Sequence, residues 1–245
     1  MSEKYFFISL QNIKIDQIVT IHGDEFHHMV HVSRLKRGDI VGLLDGKGKT
    51  YRAVIELVDR NFAELKIVDV EKKKSQVFDL AVAVISPQRL DWAVEKCTEI
   101  GLDKFIPFTS ERCIWRGDEE KRKKKRERLI RKAISACKQS GQSWLPDIKE
   151  IVDFESLVKE VEGYEIVLLA SLSGRDMRSV KEELGTKPWD GKVLGIVGPE
   201  GGFSEYEEQV LTMSGAIPVN LGQSRLRTET ACMLLTFLVN YELLT

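Results

Sequence analysis

The chain has 245 residues, 42% of them hydrophobic, and a formal net charge of −1. That is enough apolar material for one large domain or two smaller ones, and a charge so close to zero excludes any global pull toward nucleic acid or membrane, leaving such contacts to local basic patches. Its four cysteines, Cys97, Cys113, Cys137 and Cys232, stand far apart with no CxxC pair, which argues against a zinc module or a disulfide framework and for reduced thiols in a cytoplasm.

At the N-terminus, Met1-Ser2-Glu3-Lys4-Tyr5 lacks a charged-then-apolar signal pattern, and no apolar run approaches membrane-spanning length. A cytoplasmic protein without membrane contact is therefore expected. Short strands follow at residues 5–10, 17–21, 40–44, 50–58 and 62–70, punctuated by Gly38-Asp39, Asp45-Gly46-Lys47-Gly48 and Asp59-Arg60-Asn61. Strands so closely spaced predict a small β-barrel. Between them, residues 24–32 read as one short helix with Asp24 as N-cap. All but one of the histidines lie there, and His27 and His31 share a face. No third carboxylate or cysteine ligand accompanies the pair, so it is read as structural or RNA-facing and no metal is expected.

The charged stretch Glu71-Lys72-Lys73-Lys74-Ser75-Gln76 lacks periodicity and is read as a linker, which divides the chain into domains at 1–74 and 75–245. Beyond it strands alternate with helices: strands at 78–85, 104–108 and 165–170, and helices at 88–100, 119–139, 154–162 and 177–184. Two strand-turn-helix units close the chain, with strands at 193–197 and 217–221. The alternation predicts an α/β domain with a mostly parallel sheet. Asp153 and Gly163 bracket one helix, and Ser204 with Glu207 has capping-box spacing. The last helix, residues 228–243, is apolar almost all round, so the sheet, other helices or a second subunit must cover it. Part of it is expected to be a dimer interface.

Three stretches carry chemistry. In Gly198-Pro199-Glu200-Gly201-Gly202-Phe203-Ser204, glycines let backbone approach a ligand and a following helix turns free N–H groups toward the loop. Adenosine, a phosphate or a carboxylate would each suit it, as would a purely structural turn; neither a GxGxxG nor a P-loop pattern is present. In Arg225-Leu226-Arg227-Thr228-Glu229-Thr230, two arginines and an acid at a helix mouth can order a loop or hold an anion. The run Lys121-Arg122-Lys123-Lys124-Lys125-Arg126-Glu127-Arg128-Leu129-Ile130-Arg131-Lys132 is either a solvated helix face or a phosphate-backbone contact.

These residues resemble the bacterial 16S ribosomal RNA (uracil-N3) methyltransferases of the knotted SPOUT class. The resemblance rests on the glycine stretch followed by Glu207 or Glu208, on Leu221-Gly222 with Leu226-Arg227-Thr228-Glu229-Thr230-Ala231, and on Lys96 with Glu99-Ile100-Gly101 ahead of Pro107 and Arg112. Gln139-Ser140 ahead of Pro146, and His28 with Val32, Arg34 and Gly38-Asp39, extend it over nearly the whole chain. It implies a PUA-like β-barrel that helps hold RNA and a trefoil-knotted methyltransferase domain that works as a homodimer on S-adenosyl-L-methionine. It further implies cofactor contacts from Leu169, Ala170 and Ser171, from Gly198, Pro199, Glu200, Gly201 and Gly202, and from Leu221, Gly222, Leu226 and Arg227. Arg227, Glu229 and Glu200 are the candidate catalytic residues, and His28, Arg34, Arg112, Lys123, Lys124 and Lys125 the candidate RNA contacts. The expected substrate is 16S rRNA in the small ribosomal subunit; the alternatives are another RNA nucleotide, a ribose 2′-OH, or a non-catalytic assembly factor. Two departures from the family pattern are Lys138 and Gln142 around Gln139-Ser140-Gly141, and Ser224-Arg225 where an Arg-Ile pair is usual.

Overall fold

The structure, a computed structural model, describes residues 4–9, 12–74, 77–113, 117–184 and 192–243. The expected domain boundary at residues 74–76 and the end of the first expected strand at residue 10 fall partly outside these. Two compact units emerge, one of Met1–Ser75 with Ile134–Leu145 and one of Gln76–Ala133 with Pro146–Thr245.

In the first unit, β1 (Tyr5–Phe7), β2 (Ile18–His22), β3 (Ile40–Leu44), β4 (Lys49–Val58) and β5 (Phe62–Lys72) form one sheet in the order β1-β3-β4-β5-β2. Only the β1–β3 pair is parallel. Alternate residues Val19 and Ile21, Tyr51, Ala53 and Ile55, and Ala63, Leu65 and Ile67 point into one buried core, the period of two that a one-sided sheet demands. The histidine-bearing segment departs from expectation in two ways. α1 (Gly23–His27) is capped at His22 without a side-chain bond, so Asp24 lies in the first turn, where the helix dipole favours a carboxylate. After it the chain widens into a π-helical turn, His28–Val32, closed by Ser33 N–H donating to His28 O. Phe26 and Met29 thereby both reach the core.

In the second unit, β6 (Phe78–Ala83), β7 (Lys104–Phe108), β8 (Asp147–Ile148), β9 (Ile166–Asp176), β10 (Val193–Val197) and β11 (Ile217–Asn220) make a sheet in the order β11-β9-β10-β6-β7-β8. Every pairing is parallel. The helices are α2 (Pro87–Ile100), α3 (Glu119–Ser140), whose last turns fall in the first unit, α4 (Phe154–Val161), α5 (Met177–Leu184), α6 (Glu205–Met213) and α7 (Thr228–Leu238). All six residues of β6 and all five of β10 are buried, as strands covered on both faces must be. Gly195 lets α7 lie close to this centre: a Cβ there would stand 2.7 Å from the Phe78 ring and 2.8 Å from Leu235. On α7, Ala231, Cys232 and Leu235 are buried, while Phe237 and, in the π-helical turn Val239–Leu243 that follows, Tyr241 stay 44% and 55% exposed with their rings stacked at 4.9 Å.

β9 holds the feature that sequence periodicity missed. Its ladder with β11 runs Ile217↔Leu168 and Pro218↔Leu169, then jumps to Val219↔Arg175. Residues 170–174 are therefore thrown out of the pairing at the C-terminal edge of the sheet. Gly174 closes this bulge, because a Cβ there would collide with the Val219 backbone at 2.5 Å.

Candidate functional site

A cavity of about 310 Å³ opens at the C-terminal edge of β9, β10 and β11, the edge where open parallel sheets take ligands. The bulged residues Ala170, Ser171, Leu172 and Ser173 form one wall. The second comes from Val197, Gly198, Pro199, Glu200, Gly202 and Phe203, with Glu208 behind them. Asn220, Leu221, Gly222, Ser224, Arg225 and Leu226 form the third, closed by Thr228 and Ala231 of α7.

The glycine loop owes its shape to local chemistry. Gly202, at φ +71°, donates its N–H to Pro199 O at 2.9 Å and closes a turn that a side chain would strain. Ser204 then starts α6 with a reciprocal capping box: its Oγ accepts from Glu207 N–H at 3.3 Å, and Glu207 Oε2 accepts from Ser204 N–H at 3.0 Å. The second Glu207 oxygen takes the Glu111 N–H at 2.8 Å, which accounts for a buried carboxylate. Phe203 stacks in parallel on Phe108, centroids 6.2 Å apart, and lies where a Cβ on Gly198 would fall.

Three side chains pin the carbonyls of this loop. Thr228 Oγ donates to Gly198 O at 3.0 Å, Arg225 Nη2 to Glu200 O at 3.2 Å, and Arg112 Nη1 to Gly201 O at 2.8 Å. The departure at Arg225 thus has a role in the fold: it ties the third wall to the second. Arg89, in the first turn of α2, bridges two carboxylates, with Nη1 2.9 Å from Glu200 Oε1 and Nε 3.8 Å from Glu229 Oε1. Glu229 is 5% exposed, and its Oε2 has no hydrogen-bond partner. A buried carboxylate oxygen left open in this way is costly unless a ligand or water completes it.

Of the residues expected to hold a cofactor, Ala170, Ser171, Gly198, Pro199, Glu200, Gly202, Leu221, Gly222 and Leu226 line the cavity. Leu169 is buried in β9, Gly201 lies over Arg112, and Arg227 is exposed at the N-cap of α7. Glu229 stands behind the cavity beside Arg89. Sequence reasoning assigned none of Ser173, Phe203, Glu208, Asn220 and Arg89 to the site, although Phe203 belongs to the glycine stretch and Glu208 follows it. For Arg89 a signal existed, since the first turn of a helix that follows a central parallel strand must lie at this same edge.

The candidate RNA contacts are scattered. Lys123 and Lys124 are exposed on α3, the latter 2.7 Å from Glu120. Lys125, next in line, turns inward: its Nζ is buried, and burial, then Arg128, pulls its pKa down to about 8. Arg122 and Arg126 are also turned to the protein, donating to Ile151 O and Ile148 O. In the first unit Arg34 is exposed at φ +56°, whereas the His28 ring meets Phe6 edge-on at 5.6 Å and its pKa is held down by burial and by Lys138. The departure at Lys138 is matched within that unit by Glu25, 2.7 Å away. Among the described residues no group of three or more His, Cys, Asp or Glu is placed to hold a metal, and no helix is long and apolar enough to cross a membrane.

The cavity has a lining that combines apolar side chains, among them Val197, Phe203, Leu226 and Ala231, with polar ones, among them hydroxyls, Asn220 and Glu208. Its size and composition suit a nucleoside-sized ligand. Comparison with known proteins agrees. Residues 72–240 match a family described as RNA methyltransferase domain, and residues 21–68 one described as RNA methyltransferase PUA domain. A ribosomal RNA small subunit methyltransferase E from Aquifex aeolicus is 31% identical over 228 residues, covering 91% of this chain and 95% of its own. The protein of that name from Bacillus subtilis is 27% identical over 245 residues, covering 97% and 96%. The crystal structure of the Neisseria gonorrhoeae enzyme of that name bound to S-adenosyl methionine superposes with a TM-score of 0.84 at 26% identity, covering 98% and 97%. With its α/β domain, its preceding PUA domain and this glycine-walled cavity, the chain belongs to the RNA methyltransferase family, among the ribosomal RNA small subunit methyltransferases E.

Proposed function

We propose that this protein transfers a methyl group from S-adenosyl-L-methionine to N3 of a uridine in 16S ribosomal RNA of the small ribosomal subunit. The observation that carries the proposal is the cavity walled by the 198–203 loop, the 220–226 loop and the bulge at 170–174, in a chain of this family. The fit to the cofactor rests on three features: a cavity of about 310 Å³, glycine backbone in its walls, and a lining that mixes apolar side chains with hydroxyls, an amide and carboxylates. When bound, the cofactor supplies an electrophilic methyl on a sulfonium. In this reading residues 1–74 are the PUA-like part that helps hold RNA, and 75–245 carry the transferase. α7 returns to β6 and β10 after β11 has been laid outside β9, a path compatible with the trefoil knot of the SPOUT class.

The N3–H of uracil is a weak acid on the pairing edge, so the target base must be unpaired or extruded. Arg227, exposed between the lining residues Leu226 and Thr228, stabilises negative charge as the base loses its proton. Glu200, at the lip, accepts the proton, and Glu229, buried behind it, holds Arg89 in place. The exposed Phe237–Tyr241 pair on the outer side of the α7 segment supports a homodimer; sedimentation equilibrium should give a dimer for the wild type and a monomer for Phe237→Asp with Tyr241→Asp.

The proposal is tested by incubating the protein and labelled cofactor with naked 16S rRNA or with small subunits, then mapping the product by nuclease digestion and mass spectrometry. One methyl group on uracil N3, with subunits the better substrate, is the expected result. A methyl on another base or a ribose 2′-OH would replace the substrate named here, and tight RNA binding without transfer would make the chain an assembly factor. For the α3 run, Lys123→Ala with Lys124→Ala should lower the dependence of log affinity on log salt by about one to two units. Lys125→Ala should leave that slope unchanged, because its ammonium is buried.

A further inference from the structure

The lining of the cavity contains a polar cluster that the methyl-transfer reading leaves unused. Glu208, half-buried in the first turn of α6, receives two hydroxyls on a single oxygen. Ser171 Oγ stands 2.5 Å and Ser173 Oγ 3.4 Å from Glu208 Oε1, and the two hydroxyls lie 2.9 Å apart. Glu208 Oε2 makes no hydrogen bond, and no cation comes within ion-pair distance of the carboxylate among the described residues. The neighbouring Asn220 is already committed, its amide donating to Leu172 O and its carbonyl accepting from Gly222 N–H, both at 2.8 Å. With both serine protons directed into the cluster, what faces the cavity is acceptor capacity: one free carboxylate oxygen flanked by hydroxyl lone pairs.

A ligand group that completes this cluster must donate at least two hydrogen bonds side by side. We infer that Glu208, braced by Ser171 and Ser173, is the specificity residue for the vicinal 2′,3′-diol of the cofactor ribose; this rests on the cavity being the S-adenosylmethionine site. A diol offers two adjacent O–H donors at about the spacing of the acceptors, the same chemistry by which an acidic residue reads ribose in dinucleotide folds. The other donors on the cofactor fit less well: the α-ammonium would carry its own carboxylate toward Glu208 with no cation of the cluster to offset the repulsion, and the two hydrogens of the adenine amino group diverge from one nitrogen instead of lying on adjacent atoms. Position also agrees: Ser171 and Ser173 sit on the bulge thrown out between Leu169 and Arg175, so the irregular ladder of β9 is what delivers hydroxyls to this carboxylate.

The test is titration calorimetry with S-adenosylhomocysteine, with 5′-methylthioadenosine, which keeps adenine and ribose but lacks the amino-acid end, and with the 2′-deoxy form of each. Wild type should bind both full ribosides and lose about 10- to 100-fold on removal of the 2′-hydroxyl. Glu208→Gln, which keeps the shape and the capacity to fold, should lose a similar factor for both ribosides and should no longer discriminate against the deoxy forms. A Glu208→Gln loss confined to S-adenosylhomocysteine would overturn the proposal in favour of the ammonium, and undiminished affinity for both would overturn it outright. Failure of the wild type to bind either riboside would instead remove the cofactor reading on which the proposal stands.

Discussion

Gly198→Val is expected to lower S-adenosylmethionine affinity by about 100-fold or more, the equivalent of ~2.7 kcal/mol, while the protein still folds. A Cβ at this position would stand 2.9 Å from the Phe203 ring, closer than side-chain carbons approach one another. The ring has little room to retreat, since its other side is stacked on Phe108. Nor can the loop shift outward, because Thr228 holds Gly198 O, and Arg225 and Arg112 hold the two carbonyls beyond it. The added methyl groups are therefore driven into the cavity, which Gly198 lines together with Phe203 and Leu226. Calorimetry with S-adenosylhomocysteine and a thermal melt separate the two consequences: affinity should collapse while the melting temperature falls by only a few degrees. Gly163→Ala supplies the control, since its Cβ would meet only the Glu160 carbonyl at an ordinary 3.4 Å. Near-normal binding by Gly198→Val would mean that the cofactor does not lie against this loop.

Much of this arrangement is legible in the amino-acid sequence, and the reason is local. Val193 to Val197 and Ile217 to Asn220 are short apolar strands each followed by a glycine-bearing turn and a helix, the first of them started by a capping box, so their identity depends on residues a few positions apart. The parallel sheet follows from the same alternation, and the preceding small β domain from the spacing of its turns. What stays hidden depends on residues far apart. Nothing near Ser171 announces that the ladder skips from Leu169 to Arg175, because Ser171, Ser173 and Gly174 read as an ordinary polar strand end. Arg89 meets Glu200 across 111 residues, a pairing that only the sheet order creates. Lys125 carries the same charge as Lys123 and Lys124 in the sequence, but helical geometry turns it roughly 100° per residue from its neighbours, and α3 has an inner face. Charge density in a run therefore overstates the number of cations open to RNA. The resemblance to a family identifies the cavity residues by motif; only the fold can tell that Gly201 and Glu229 lie outside its lining while Glu208 lies in it.

Arg227→Ala should reduce methyl transfer at saturating cofactor by about 10²- to 10³-fold, with S-adenosylhomocysteine affinity changed by no more than about twofold. The two halves of this expectation come from the position of the residue. Arg227 is the N-cap of α7 by its backbone alone, at φ −70° and ψ 153° with no side-chain cap bond, and its carbonyl accepts from Ala231 N–H at 2.9 Å. Alanine retains that bond, and Thr228 continues to hold Gly198. The side chain is exposed and does not line the cavity, so its removal leaves the cofactor walls in place. In the proposed role, what is lost is a permanent positive charge that offsets the developing anion of the base. A pH series distinguishes this role from a structural one. If the guanidinium lowers the energy of the uracil anion, the alkaline rise of the rate should move to higher pH in Arg227→Ala, and the deficit should shrink as the solution itself begins to deprotonate the base. Arg227→Lys, which keeps the charge but loses the planar fork, should recover part of the rate and part of the shift. A deficit constant across pH and accompanied by weaker RNA binding would place Arg227 on the RNA backbone instead, as an anchor for the substrate with no part in stabilising the reacting base.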